Sequence, residues 1–137
     1  MRVLLVDDEH VFLLVLKGFL EQPDLIVDTA ETYEEAMSMI NIKHYDIVIS
    51  DIRLTGVLGE EGLAVLQYVK QNIPITKVII ITGYDNAEVM NKARNLGADM
   101  YLEKPVSANY LLRAMKNMGL EYSDTNNIYK DLSDEFR

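Results

Sequence analysis

An α/β fold, with a five-stranded parallel sheet between helices on both faces, is predicted by two features of the sequence. Stretches of strand and helix character alternate five times, and such alternation implies parallel strands joined by right-handed helical crossovers. The runs at residues 3–6, 47–49 and 78–81 are wholly apolar, as central strands covered on both sides must be. The second and fifth runs are more polar and suit the edges. The order 2-1-3-4-5 satisfies both features. It sets a switch point between the first and third strands, where open sheets of this kind place their chemistry.

The elements follow in order. Residues 2–6 are a short apolar run that stops abruptly at Asp7, Asp8 and Glu9. Val11, Phe12, Val15, Leu16, Phe19 and Leu20 then recur at helical spacing until Pro23 stops the pattern. Residues 25–30 form a more polar strand. Thr32, with Glu35 three residues on, is a capping box opening a helix that buries Ala36, Met37, Met39 and Ile40. Residues 46–51 are the third strand, in which an apolar core delivers Asp51 at its end. Leu63, Ala64, Leu66 and Val69 mark a third helix, ended near Asn72 by Pro74. Residues 77–82 form the fourth strand. Asp85 and Glu88 are the expected cap pair of a helix carrying Val89, Met90, Ala93 and Leu96, with Gly97 as its stop. Residues 99–104 form the fifth strand, and Ser107 caps a last helix with Leu111, Leu112, Met115 and Met118.

Composition narrows the function classes. A chain of 137 residues suffices for one domain with its own core. A net charge of −9 argues against direct binding to nucleic acid or anionic lipid. The absence of cysteine excludes disulfides and thiolate metal sites, and His10 and His44 are too few and too separated for a zinc constellation. No apolar stretch approaches the roughly 18–20 residues of a spanning helix, and Met1 leads straight into a strand without a signal peptide. A soluble, cytoplasmic, acidic domain is expected.

In the expected fold Asp7, Asp8 and Asp51 converge on one rim of the sheet. Carboxylates so close repel and raise one another's pKa values unless positive charge intervenes. Lys104, at the end of the fifth strand, supplies one such charge. A hard divalent cation supplies the rest, and oxygen ligands without thiol or imidazole favour Mg²⁺ or Mn²⁺. Thr82, ending the fourth strand, adds a hydroxyl that can meet a phosphoryl oxygen. Nucleophile, metal, cation and donor together suit phosphoryl transfer to a carboxylate.

These segments (Leu5-Val6-Asp7-Asp8-Glu9, Asp46-Ile47-Val48-Ile49-Ser50-Asp51, Ile81-Thr82-Gly83 and Leu102-Glu103-Lys104-Pro105) resemble the receiver domain of two-component response regulators, over residues 1 to about 118. The resemblance implies a flavodoxin-like (CheY-like) fold and a phosphoacceptor Asp51 served by a histidine kinase or phosphotransfer protein. It implies Mg²⁺ on Asp8, Asp51 and the backbone carbonyl of Arg53, with Asp7 acting largely through water. Thr82 and Lys104 are implied to grip the phosphoryl oxygens, Tyr101 to turn inward as Thr82 moves, and Lys104-Pro105 to be a cis peptide. Signalling is then expected from a stand-alone receiver, through the face of the fourth helix, fifth strand and fifth helix, to a protein partner or a phosphorylation-dependent homodimer; the alternative is the N-terminal receiver of a longer regulator whose effector domain is absent. The domain would catalyse only its own phosphorylation and dephosphorylation.

Taken singly, each residue has a plainer role. Asp7 and Asp8 can cap a helix, Lys104 can guard an edge strand, and Thr82 and Tyr101 can be packing residues. Only jointly, at strand ends on the same rim, do they argue for chemistry. An aspartyl phosphohydrolase needs a second carboxylate two residues after the nucleophile, where this chain has Arg53. A non-phosphorylated interaction domain leaves the whole set unexplained. One departure from the family pattern concerns the loop after Asp51, where Thr55 replaces a usual proline. If Gly62 is the glycine that opens the third helix, that loop is a few residues longer. Arg53 and Tyr84, two residues beyond Asp51 and Thr82, are placed to screen the attacking water. Residues 119–137 carry five acids and two bases. They are expected to form a tail or a short helix begun by Asn127, with Ile128, Tyr129, Leu132 and Phe136 on one side.

Overall fold

A computed structural model describes residues 1–54, 59–83 and 86–118. Within them β1 (Arg2–Val6), α1 (His10–Leu20), β2 (Ile26–Ala30), α2 (Tyr33–Ile42), β3 (Ile47–Ser50), α3 (Glu61–Asn72), β4 (Lys77–Thr82), α4 (Ala87–Asn95), β5 (Met100–Glu103) and α5 (Ala108–Asn117) alternate. The five strands are parallel in the order β2-β1-β3-β4-β5. This is the flavodoxin-like arrangement with polar edges that the sequence predicts.

The register decides where the chemistry falls. Val6 pairs with Ala30 and Ser50, Ser50 with Ile80, and Thr82 with Glu103. The strand ends therefore share one rim. The ladder then runs one residue further: Asp7 N–H donates to the Ala30 carbonyl at 3.1 Å, Asp51 N–H to Val6 at 2.9 Å and Lys104 N–H to Thr82 at 2.9 Å. Each residue is thus pinned by its backbone just beyond its strand, and its side chain is free to lie along the rim.

Alternate residues of the strands face opposite ways, as the pleat requires. Leu4, Val6, Val48 and Ile80 pack under α2, α3 and α4 with Ala36, Ile40, Leu66, Val69 and Ala93. Val3, Leu5, Ile49, Ile79 and Ile81 pack under α1 and α5 with Leu13, Leu16, Leu20, Leu111 and Met115. Truncating one such leucine to alanine costs about 2–5 kcal/mol, depending on how far the site collapses.

Helix faces depart from expectation in places. In α1 the buried stripe is Leu13, Leu16 and Leu20, while Val11, Val15 and Phe19 lie outside at 72, 53 and 70% exposure. The helix is apolar around most of its circumference, so periodicity identifies a helix without choosing its inner side. In α3, Val65 is buried and Ala64 faces out. The N-cap of α4 is Asn86, one residue beyond the expected Asp85, and its side chain accepts from the N–H groups of Glu88 and Val89. Thr32 and Ser107 cap α2 and α5 as expected. Gly97 takes φ 98°, the left-handed conformation that ends α4. His10 and His44 are exposed beside Glu31 and Asp46.

Candidate functional site

Lys104 is the centre of the rim. Its Nζ lies 2.7 Å from Asp7 Oδ2, 3.0 Å from Asp51 Oδ2 and 3.2 Å from Glu9 Oε1. The long stem reaches back from the end of β5 across β4 and β3, and the Lys104–Pro105 peptide from which it starts is cis. On its remaining side the ammonium sits 4.5 Å from the ring centroid of Phe12, in α1. Burial works against the charge of Lys104, but hydrogen bonds to Asp7 and Asp51 outweigh it and raise the pKa. The lysine is a fixed cation at every physiological pH.

Asp7 is 2% and Asp51 7% exposed, which is unusual for carboxylates unless they are paired. Burial pushes the Asp7 carboxyl upward, and the hydrogen bond from Lys104 offsets part of that. Asp7 Oδ1 accepts the N–H of Glu9 at 2.8 Å, which turns the chain into α1. Asp51 Oδ1 accepts the N–H of Arg53 at 3.3 Å, and Ser50 Oγ donates to the Asp51 carbonyl at 2.9 Å. Asp8 is exposed beside them. Carboxylate oxygens of Asp7, Asp8, Glu9 and Asp51 all lie within 4.8 Å of one another. Among the described residues three carboxylates meet this ammonium and Asp8 adds a fourth beside them; the excess of negative charge in an all-oxygen donor set fits a hard divalent cation.

The structure thus gathers Asp7, Asp8, Asp51 and Lys104. Thr82 ends β4 at 1% exposure and joins the same rim through the Lys104 N–H bond to its carbonyl. Tyr101 lies on β5 opposite Ile80, half-buried against the core beneath α2, α3 and α4. Arg53 begins the loop after Asp51, and its side chain is exposed over Gly59. Tyr84 and Thr55 lie outside the described residues, as does the tail from residue 119.

Gly62 is where the loop returns to the site. It is the second residue of α3, its N–H donates to the Ile52 carbonyl at 2.8 Å, and a Cβ there would overlap the Asp51 carbonyl oxygen. Glu61 beside it accepts the N–H of Leu54 at 3.1 Å, tying the loop's start to its end. Two contacts of Lys104 escape the sequence reading. Glu9 reads only as the end of an acidic run and Phe12 as a helix-core residue. The sole sequence signal for Glu9 is that a third carboxylate continues the pair at a strand end.

Comparison with known proteins agrees with this geometry. The family described as "Response regulator receiver domain" matches residues 3–116. The DNA-binding transcriptional regulator NtrC of Klebsiella pneumoniae is 35% identical over 101 residues, which are 74% of this chain and 21% of that protein. The photosynthetic apparatus regulatory protein RegA of Cereibacter sphaeroides is 28% identical over 117 residues, 85% of this chain and 62% of that one. The chain therefore spans from about a fifth to three-fifths of these relatives' lengths. Among solved structures, a CheY-like response regulator receiver domain protein from Methanospirillum hungatei superposes with a TM-score of 0.79 at 32% identity, covering 85% of this chain and 91% of that one. The beryllofluoride-activated NtrC4 receiver domain dimer gives 0.75 at 34% identity, with 85 and 93% coverage. With its fold and nearly all its described length matched in this way, the chain belongs to the response regulator receiver domains, a family of signalling modules.

Proposed function

We propose that this receiver accepts a phosphoryl group on Asp51 from a sensor histidine kinase or a phosphotransfer protein and uses it to switch a protein-binding face. The observation that carries the reading is Lys104, held between Asp7 and Asp51 at 2.7 and 3.0 Å. A carboxylate attacks phosphorus only when repulsion from the incoming phosphoryl oxygens is offset, and the ammonium is positioned to do so. An Asp51 oxygen forms the new bond to phosphorus. The phosphorus–nitrogen bond of the donor phosphohistidine breaks, and its electron pair returns to the imidazole. Asp8, Asp51 and the Arg53 carbonyl are the proposed ligands of Mg²⁺ or Mn²⁺, with Asp7 acting largely through water. When bound, that ion neutralises charge on the transferring group.

Thr82 and Lys104 then hold the phosphoryl oxygens, and Tyr101 follows Thr82 inward. The affected face is α4–β5–α5, and its partner is an effector domain, a separate protein or a second copy of the chain. The NtrC4 receiver, a dimer in its beryllofluoride-activated form, supports the last of these. The relatives' greater lengths support attachment to an effector. The receiver unit is taken as residues 1–118, with 119–137 as a tail or short helix.

The test uses wild type and Asp51→Asn with Mg²⁺ and acetyl phosphate. Mass increases by one phosphoryl group in the wild type only. Equal labelling of the Asn variant removes Asp51 from the central role.

A further inference from the structure

Resting on the phosphoacceptor reading, we infer that Glu9 is an exchangeable anchor for Lys104 that competes with the phosphoryl group, and that Phe12 is the fixed wall keeping the ammonium at the site. An ammonium has three N–H donors. Here two are hydrogen-bonded, to Asp51 and Glu9, and Asp7 adds an ion pair at 2.7 Å. A phosphoryl oxygen therefore competes with these carboxylates for Lys104. Asp7 holds the shortest contact and is buried, and Asp51 carries the new group. Glu9 is the longest contact at 3.2 Å, and its side chain is 65% exposed, so water can take over its hydrogen bonds when it leaves.

A second observation concerns what the Glu9 side chain does instead of capping. It occupies the N-cap position of α1, as Glu60 does in α3, and like Glu60 makes no side-chain capping hydrogen bond. Its carboxylate instead reaches across to a residue 95 positions away. Phe12, one turn into α1, presents its ring to the same ammonium at 4.5 Å. A ring face attracts a cation without consuming an N–H donor. It holds Lys104 in place while the hydrogen-bond partner is exchanged.

Both are positioning residues, acting on the reaction through Lys104. The test measures the beryllofluoride concentration that half-saturates the 137-residue chain at saturating Mg²⁺, followed by amide resonances. Glu9→Gln removes the charge and leaves only a weaker amide acceptor, so it loosens the anchor and lowers that concentration by about threefold to tenfold. Glu9→Asp keeps the charge but is one methylene shorter and caps α1, so it gives a similar gain. Phe12→Leu raises the concentration by a comparable factor, and Phe12→Tyr restores the wild-type value. An unchanged Glu9→Gln, or a gain with Gln but not Asp, overturns the anchor role; the latter result makes Glu9 a distant charge only. Phe12→Leu equal to wild type overturns the wall. A wild-type chain that takes no beryllofluoride overturns the phosphoacceptor reading itself, and this inference with it.

Discussion

Gly62 lies against the backbone of Asp51 so closely that any side chain there would overlap the Asp51 carbonyl oxygen. The loop after β3 therefore closes on the site through a hydrogen atom. In a helix, alanine normally exceeds glycine by about 1 kcal/mol. At this position the overlap wins, because the obstacle is backbone fixed on both sides: Asp51 N–H is bonded to Val6 and Gly62 N–H to Ile52. Gly62→Ala should destabilise the chain by about 1–3 kcal/mol, as overpacking does. Urea unfolding measures this, and a more stable alanine variant contradicts it.

Lys104 offsets the charge of a carboxylate group that the fold cannot spread apart. Lys104→Met leaves Asp7, 2% exposed, without its ion-pair partner. A loss of about 1–3 kcal/mol is expected at neutral pH without divalent ions. Added Mg²⁺ stabilises any folded state that binds it, and the variant, with more unneutralised carboxylate, should gain more than the wild type. Thermal unfolding with and without Mg²⁺ decides this. Equal gains in the two proteins would mean that lysine and metal do not share a task.

The order of the strands and their shared rim were legible because both rest on strong, local signals. Wholly apolar runs mark the central strands, and Asp7, Asp51, Thr82 and Lys104 stand at strand ends, where register alone brings them together. The inner side of α1 was not legible, because Val11, Val15 and Phe19 carry the same hydrophobic signal as Leu13, Leu16 and Leu20. The cap of α4 was displaced by one residue, since Asp85 and Asn86 are both good caps and only the backbone path chooses. Glu9 and Phe12 were missed as site residues for a different reason. Their role depends on where the flexible stem of Lys104 ends, which no spacing in the chain encodes.

Arg53 puts its backbone N–H on the Asp51 carboxylate, and its exposed side chain lies over Gly59 and lines a cavity of about 250 Å³ with Glu60 and Asn86. We propose that this side chain obstructs water approaching a phosphorylated Asp51 more than it touches the donor. Arg53→Ala should change the rate of phosphoryl loss more than the rate of uptake. Single-turnover label uptake and decay provide the two rates, and equal effects on both would remove the screening role.

Away from the site, Tyr45 makes stability pH-dependent at the alkaline end. It is 3% exposed, and its hydroxyl donates to Asp28 Oδ2 at 2.7 Å. Burial, reinforced by the hydrogen bond to Asp28 and that residue's charge, raises the Tyr45 pKa above its ordinary value near 10. A group with a raised folded pKa contributes stability fully below its unfolded pKa and loses it as the pH climbs toward the folded value. The wild type should therefore fall towards Tyr45→Phe above about pH 10, after exceeding it by about 1.5–3 kcal/mol at pH 7, the worth of a hydrogen bond to a charged group. Asp28 gives the opposite arm. Burial opposes its ionisation, but the Tyr45 hydroxyl and the charges of Lys43 and Arg2 outweigh that and lower its pKa. Its contribution is complete above about pH 4 and disappears as the pH falls through the lowered value. Urea midpoints of wild type, Tyr45→Phe and Asp28→Asn from pH 3 to 11 separate the arms. Curves that stay parallel across that range would mean the Tyr45–Asp28 contact does not couple folding to protons.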